Sequence, residues 1–172
     1  MKNLLIQSFR KFAKKKFIIN SSEKITYNDF YFRTLYLIKY FNKKGIKEND
    51  KILIKIDNSL NYLLILNACF LGGFTACPID PTTKKRRVME IKKTYGIKFS
   101  IESNIKVKKV KTKNEIINYN DTNFLIIGSS NKQGDLQGIM LKCSSILKSA
   151  KSFSKLANYN SKTRVLHCLP MF

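Results

Sequence analysis

Acidic residues are scarce in this chain: 11 Asp and Glu stand against 33 Lys and Arg, a formal charge of +22 over 172 residues. Taken alone, that imbalance points to nucleic acid or an anionic membrane surface as partner. Arginine is scarce too, present only at Arg10, Arg33, Arg86, Arg87 and Arg164. The side chain that forks onto guanine or phosphate is therefore thinly supplied. The lysines are scattered along the whole chain among abundant Asn and Ile, as an A/T-rich coding bias would leave them, so no specific nucleic-acid partner is expected. Histidine occurs once, at His167, between Leu166 and Cys168 and without a Ser/Asp pattern around it, which reads as a packed or half-exposed side chain. The four cysteines, Cys69, Cys77, Cys143 and Cys168, contain no C-x-x-C pair, which argues against zinc, and no metal ligands are assigned. Cys69 and Cys77 lie in apolar surroundings and read as small buried hydrophobes. No apolar run reaches the roughly eighteen residues of a membrane span. The opening stretch is too short and too broken by Gln7 and Arg10 for a signal core. The expected location is the cytoplasm, where free thiols persist. No internal repeat and no linker divides the chain.

What is present is enough for a core, since 44% of the residues are hydrophobic, and one domain is the default at this length. Thr26 with Asp29 three residues later forms a capping signal. Tyr27, Phe30, Thr34, Leu37, Ile38 and Phe41 then fall near one helical face, and Gly45 stops the helix. Residues 51–56 alternate as a strand, Ser59 caps an apolar helix that ends at Gly72-Gly73, and residues 74–78 make a second strand. Strand, helix, strand at this spacing predicts a βαβ unit and a parallel sheet. A basic helix is expected over 82–95, ended by Gly96, with its lysines and arginines forming a solvated face. Strand Ile97–Ile101 follows, and the Lys/Val alternation over 105–113 suggests an edge strand. Strands 124–127 and 139–141, helix 144–157 and strand 164–169 complete an α/β fold, a mainly parallel sheet with helices on both faces.

Between the strands at 124–127 and 139–141 lies a run rich in small residues. Ser129, Ser130, Gly134 and Gly138 add little bulk, so backbone N–H groups there can approach phosphate oxygens. An ordinary hairpin connection explains the same pattern.

The segments around the loop resemble the adenylate-forming superfamily of acyl-CoA synthetases, amino-acid adenylation domains and luciferases. Ile25-Thr-Tyr-Asn-Asp-Phe-Tyr31 is similar to that family's T-Y-x-E-L helix start, and residues 44–54 to its G-V-x-x-G-D-x-V-A-I turn into a strand. Asn58-Ser59, the apolar run to Leu71, and Gly72-Gly-Phe-Thr-Ala-Cys-Pro-Ile-Asp-Pro81 resemble N-S…A-G-A-x-x-x-P-L-D-P. Residues 121–127 fall on D-L-A-Y-I-I-Y, the loop on T-S-G-T-T-G-x-P-K-G-V, and residues 165–172 on V-L-x-x-L-P-L-F. The likeness is collinear from about Ile25 to Phe172.

The resemblance implies ATP and Mg2+ as cofactors, activation of a carboxylate as acyl-adenylate, and transfer to coenzyme A or a carrier-protein thiol. Carried over residue by residue, it makes Ser129, Ser130, Lys132, Gly134 and Gly138 a phosphate loop. That loop departs from the family: Asn131 replaces a Gly, Lys132-Gln133 replaces two Thr, and Asp135-Leu136-Gln137 stands where x-Pro-Lys belongs. The loop lysine is missing, only Lys132 compensates in part, and ATP binding is expected to be weak. The family's ribose Asp, magnesium Glu and mobile C-terminal Lys would align beyond Phe172. Residues 1–172 are thus expected to form an incomplete N-terminal domain with no catalytic residue, inactive alone. Its partner would be a separately encoded remainder of the enzyme or a second copy of the chain; the alternatives are a non-catalytic binding module that uses the partial sheet as a docking surface and, third, a basic nucleic-acid binder.

Overall fold

The computed structural model describes residues 2–20, 23–105, 107, 121–130 and 136–167. Helix α1 (Lys2–Lys11) seats Phe9 on Tyr31, ring centroids 5.6 Å apart, and an antiparallel pair, β1 (Lys16–Ile19) and β2 (Lys24–Thr26), leads into helix α2 (Tyr27–Lys43). The predicted cap is present. Thr26 Oγ1 accepts from Asp29 N at 3.1 Å, and the Asp29 carboxylate accepts from Thr26 N at 3.4 Å. Each bond occupies an N–H group that the start of a helix leaves without a partner.

Strand β3 (Lys51–Ile54), helix α3 (Leu60–Gly72) and strand β4 (Thr75–Pro78) make the expected βαβ unit, with β3 and β4 parallel and in register from Lys51 opposite Thr75 to Ile54 opposite Pro78. Ser59 Oγ caps α3 by accepting from Tyr62 N at 3.1 Å. Gly73 closes the helix at φ 74°, where a Cβ would be strained and would stand 3.0 Å from Glu48 Cγ. Helix α4 (Lys85–Tyr95) ends on Gly96, and β5 (Phe99–Ile101) returns to pair with β3 on its far side.

Strands β6 (Asn123–Ser130) and β7 (Leu136–Lys142) follow, then helix α5 (Cys143–Leu156). Among the described residues the main sheet has the order β5-β3-β4-β6-β7, parallel throughout except for the antiparallel pair β6–β7. Helices cover both faces. Ile52, Ile54 and Ala76 join the core with α2 and α3, while Leu53 and Cys77 point the other way to Val88 and Ile91 of α4. Alternate residues of a strand face opposite sides, so a sheet buried twice reads as the unbroken apolar run seen over 52–54. Strand β4 meets β6 through the ladder pair Ala76 with Leu125 and the Thr75 hydroxyl donating to Asn123 O at 3.2 Å, and side chains reinforce the join: the Phe124 ring stands edge-on to Phe70 of α3 at 5.0 Å, and Ile126 is buried with Leu53, Cys77, Val88 and Ile91.

Two expected strands differ. Of the strand expected over 164–169, residues 164–167 form no strand and are exposed, Leu166 at 89%, and 168–169 lie outside the described residues. Extended backbone becomes a strand only beside a partner, and no described strand lies along this segment. Ile105 and Val107 are likewise outside any strand, and the rest of that predicted edge lies outside the described residues.

Candidate functional site

Strand β3 passes the chain to α3 on one face and β4 passes it to α4 on the other. The connections therefore diverge at the carboxyl ends of β3 and β4, the position at which open α/β sheets form ligand crevices. Polar residues stand among those leaving these ends, Lys55, Asp57 and Asn58 after β3 and Asp80 after β4. Asp80 accepts from both the backbone N–H and the hydroxyl of Thr82 at 2.6 Å, which with Lys55 nearby holds its carboxyl below the usual value.

The hairpin β6–β7 rises at this same edge. With Leu125 opposite Ala76, counting residue for residue puts Gly128 to Ser130 beyond Pro78, the last residue of β4. Ser129 and Ser130, expected in the loop, are the last residues of β6 and stand opposite Gln137 and Leu136. Gly138 is likewise a strand residue, directly opposite Gly128. Lys132 and Gly134 lie outside the described residues.

Between the hairpin and α4 is a cleft of about 430 Å³, lined by Cys77, Asp80, Arg87, Tyr95, Gly128 and Leu136 among others. Tyr95 crosses it. Its hydroxyl donates to Gln137 O at 2.8 Å, and its ring occupies the space that side chains at the two glycines would need. A Cβ on Gly138 would lie 2.8 Å from Tyr95 Cε1, and one on Gly128 would lie 3.2 Å from its hydroxyl oxygen. Both missing side chains therefore make room for a tyrosine ring. Burial raises the Cys77 thiol to about 11, partly opposed by Lys51, and pushes the Cys69 thiol higher still, so both are inert at neutral pH. Arg87 is paired with Glu90 at 3.2 Å.

Sequence reasoning placed Tyr95 at the end of a helix and left Gly128 unremarked. A signal was there: Gly128 and Gly138 are equidistant from residue 133, so a hairpin centred on it sets them face to face. Nothing in the sequence announced that a side chain from the end of a helix well upstream in the chain, rather than a ligand, would fill the space. Among the described residues no group of three or more His, Cys, Asp or Glu stands together as a metal site, and no helix is long and apolar enough to cross a membrane.

A sheet of this order, with helices on both faces and a serine- and glycine-bearing hairpin at its carboxyl edge, defines an open α/β protein whose candidate crevice lies at the carboxyl ends of its strands. The chain belongs to the AMP-binding enzyme family, whose sequence profile matches residues 5–137. Gramicidin S synthase 2 of Brevibacillus brevis is 24% identical over 166 residues, a match covering 87% of this chain and 4% of that protein. The chain thus spans a small part of the curated relatives it matches. In fold it is similar to o-succinylbenzoate CoA synthetase of Bacillus subtilis, solved with the acyl-adenylate OSB-AMP (TM-score 0.82, 17% identity, 98% of this chain and 50% of that one). It is also similar to the inhibitor-bound N-terminal domain of FACL13 from Mycobacterium tuberculosis (TM-score 0.85, 16% identity, 98% and 50%).

Proposed function

We propose that residues 1–172 are the phosphate-loop portion of an ATP-dependent carboxylate-activating enzyme, and that this stretch alone binds ATP weakly and does not adenylate. In the reaction, a carboxylate oxygen attacks the α-phosphorus of ATP, the bond to the β-phosphate bridging oxygen breaks, and pyrophosphate leaves. A thiol of coenzyme A or a carrier protein then takes the acyl group and AMP departs. The supporting observation is the hairpin at the carboxyl edge of the sheet, with Ser129, Ser130 and Gly138 at the base of its turn, in a family whose solved members include one holding an acyl-adenylate.

The residues present fit ATP poorly. Gly138 opens onto Tyr95 rather than onto free space, and Gln137 has its carbonyl engaged by the same tyrosine. With Asp135 close in sequence and Lys132 the only cation from 128 to 141, the charge-assisted contact that steadies a phosphate is largely missing. Magnesium, when bound with ATP, would neutralise phosphate charge, and no residue of this chain is assigned to hold it.

The test is twofold. Carboxylate-dependent ATP–pyrophosphate exchange is expected to stay at the no-enzyme level for fatty and amino acids alike, and exchange above it would overturn the inactive reading. Asp135→Lys with Gln137→Lys should tighten ATP–Mg2+ binding about tenfold, the scale of a contact to a charged group. Unchanged affinity would show that this loop is not the phosphate site.

A second reading is favoured by the exposed apolar pair Ile127 and Ile139, which face each other across the hairpin at 48% and 60% exposure. On that reading the sheet edge is a docking surface for the rest of the enzyme or for a second copy.

A further inference from the structure

We propose that Tyr95 is a positioning residue for the β6–β7 hairpin, setting the angle at which its two strands stand against α4. Three observations meet at this side chain. Gly128 and Gly138 are cross-strand partners, so together they open a slot across both strands at one level. The Tyr95 ring fills that slot so closely that a methyl group on Gly138 would collide with two ring carbons, at 2.8 and 3.0 Å. The hydroxyl donates to Gln137 O at 2.8 Å, the residue just before Gly138 and the position that the family likeness assigns to the loop lysine.

The other end of the strut is fixed as well. The Tyr95 carbonyl accepts from Lys51 Nζ at 2.7 Å, which ties the end of α4 to the first residue of β3. Tyrosine therefore links the parallel strands to the hairpin through α4, at a point where the ladder between β4 and β6 supplies a single pair. An aromatic ring laid over strand glycines restores the packing that glycine removes, and here one ring serves two glycines. The role of Tyr95 toward a ligand rests on the phosphate-loop reading, but its role toward the hairpin does not.

The experiment uses residues 1–172 carrying Asp135→Lys and Gln137→Lys, with ATP–Mg2+ as probe and amide hydrogen exchange of 136–138 as second readout. Tyr95→Phe removes only the hydroxyl. It should speed exchange at the base of the hairpin and weaken ATP binding, each about fivefold, the size of one neutral hydrogen bond, while the melting temperature moves little. Gly138→Ala should disrupt the hairpin when Tyr95 is present and be tolerated in a Tyr95→Ala background, because the clash is with the ring. Equal effects of Gly138→Ala in both backgrounds, or unchanged exchange in Tyr95→Phe, would overturn the positioning role. If exchange responds but ATP never binds, the phosphate-loop reading fails and the positioning of the hairpin by Tyr95 stands.

Discussion

Asn67 of α3 donates its side-chain amide to the Thr34 hydroxyl of α2 at 3.0 Å, and that hydroxyl donates in turn to Phe30 O at 2.9 Å. Thr34 is fully buried, so the pair is a polar tie inside an otherwise apolar helix contact. Thr34→Val should cost about 1–3 kcal/mol, because it leaves the Asn67 amide without its acceptor. Adding Asn67→Leu should recover part of the loss. A double-mutant cycle by urea unfolding checks this, and strictly additive losses would show that the bond carries no coupling.

The capping box at Thr26 makes a second expectation. Thr26→Ala removes the acceptor for Asp29 N and should destabilise the fold by about 1 kcal/mol, with Thr26→Ser nearly neutral. Thermal or urea denaturation of the two variants reads the difference directly.

Alkaline pH should unfold the protein through its buried thiols. The Cys77 thiol is raised from 9.0 to about 11 by burial. Below pH 9 it is neutral in both folded and unfolded chains and costs nothing. Between pH 9 and 11 the unfolded chain releases a proton that the folded one retains, so stability falls as pH rises through that window. Cys69, raised further, and Tyr62, raised to about 12 by burial, extend the loss upward. Loss of lysine charge works in the opposite direction by relieving repulsion among like charges. The clean measurement is therefore the difference in urea midpoint between the native chain and Cys77→Ala, which should narrow from pH 9 to pH 11.

The exposed hairpin face predicts association. Ile127 of β6 and Ile139 of the edge strand β7 form an exposed apolar pair, and β7 leaves one backbone edge without a partner strand among the described residues. Sedimentation at physiological salt should show residues 1–172 as more than monomer, and Ile139→Lys should shift them toward monomer. A sharp monomer before substitution would count against the edge as a docking surface.

The parts of this fold that were legible in the sequence are those with local causes. Thr26 and Asp29 announce a helix three residues apart, and Ser59 and Gly73 bracket another. The apolar residues within 51–56 mark a strand, although the alternation read there does not hold, since Ile52, Leu53 and Ile54 are all buried. The family likeness, carried by motifs from Ile25 onward, agreed with the profile match over 5–137. Less legible was anything decided at a distance. Residues 164–167 have strand composition but no partner strand among the described residues, and pairing is not written in composition. Helix α1 went unread because its apolar residues, Ile6 and Phe9, gain their meaning only from the rings of α2 that receive them. At the candidate site the small residues were visible, while the ring that makes two glycines necessary comes from α4.

The single ladder pair between Ala76 and Leu125 has a consequence for how the chain assembles. Strands β3, β4 and β5 and their two helices draw only on residues 51–101, and the hairpin closes within residues 123–142, so each can form from contacts near in sequence. Their union rests on residues far apart in sequence: the Ala76–Leu125 pair, the Thr75 hydroxyl, the Tyr95 side chain, the Phe70–Phe124 ring contact and Ile126 buried with Leu53 and Cys77. Contacts so distant in sequence carry the larger loop-closure cost, so the hairpin is expected to join the sheet after each part has formed.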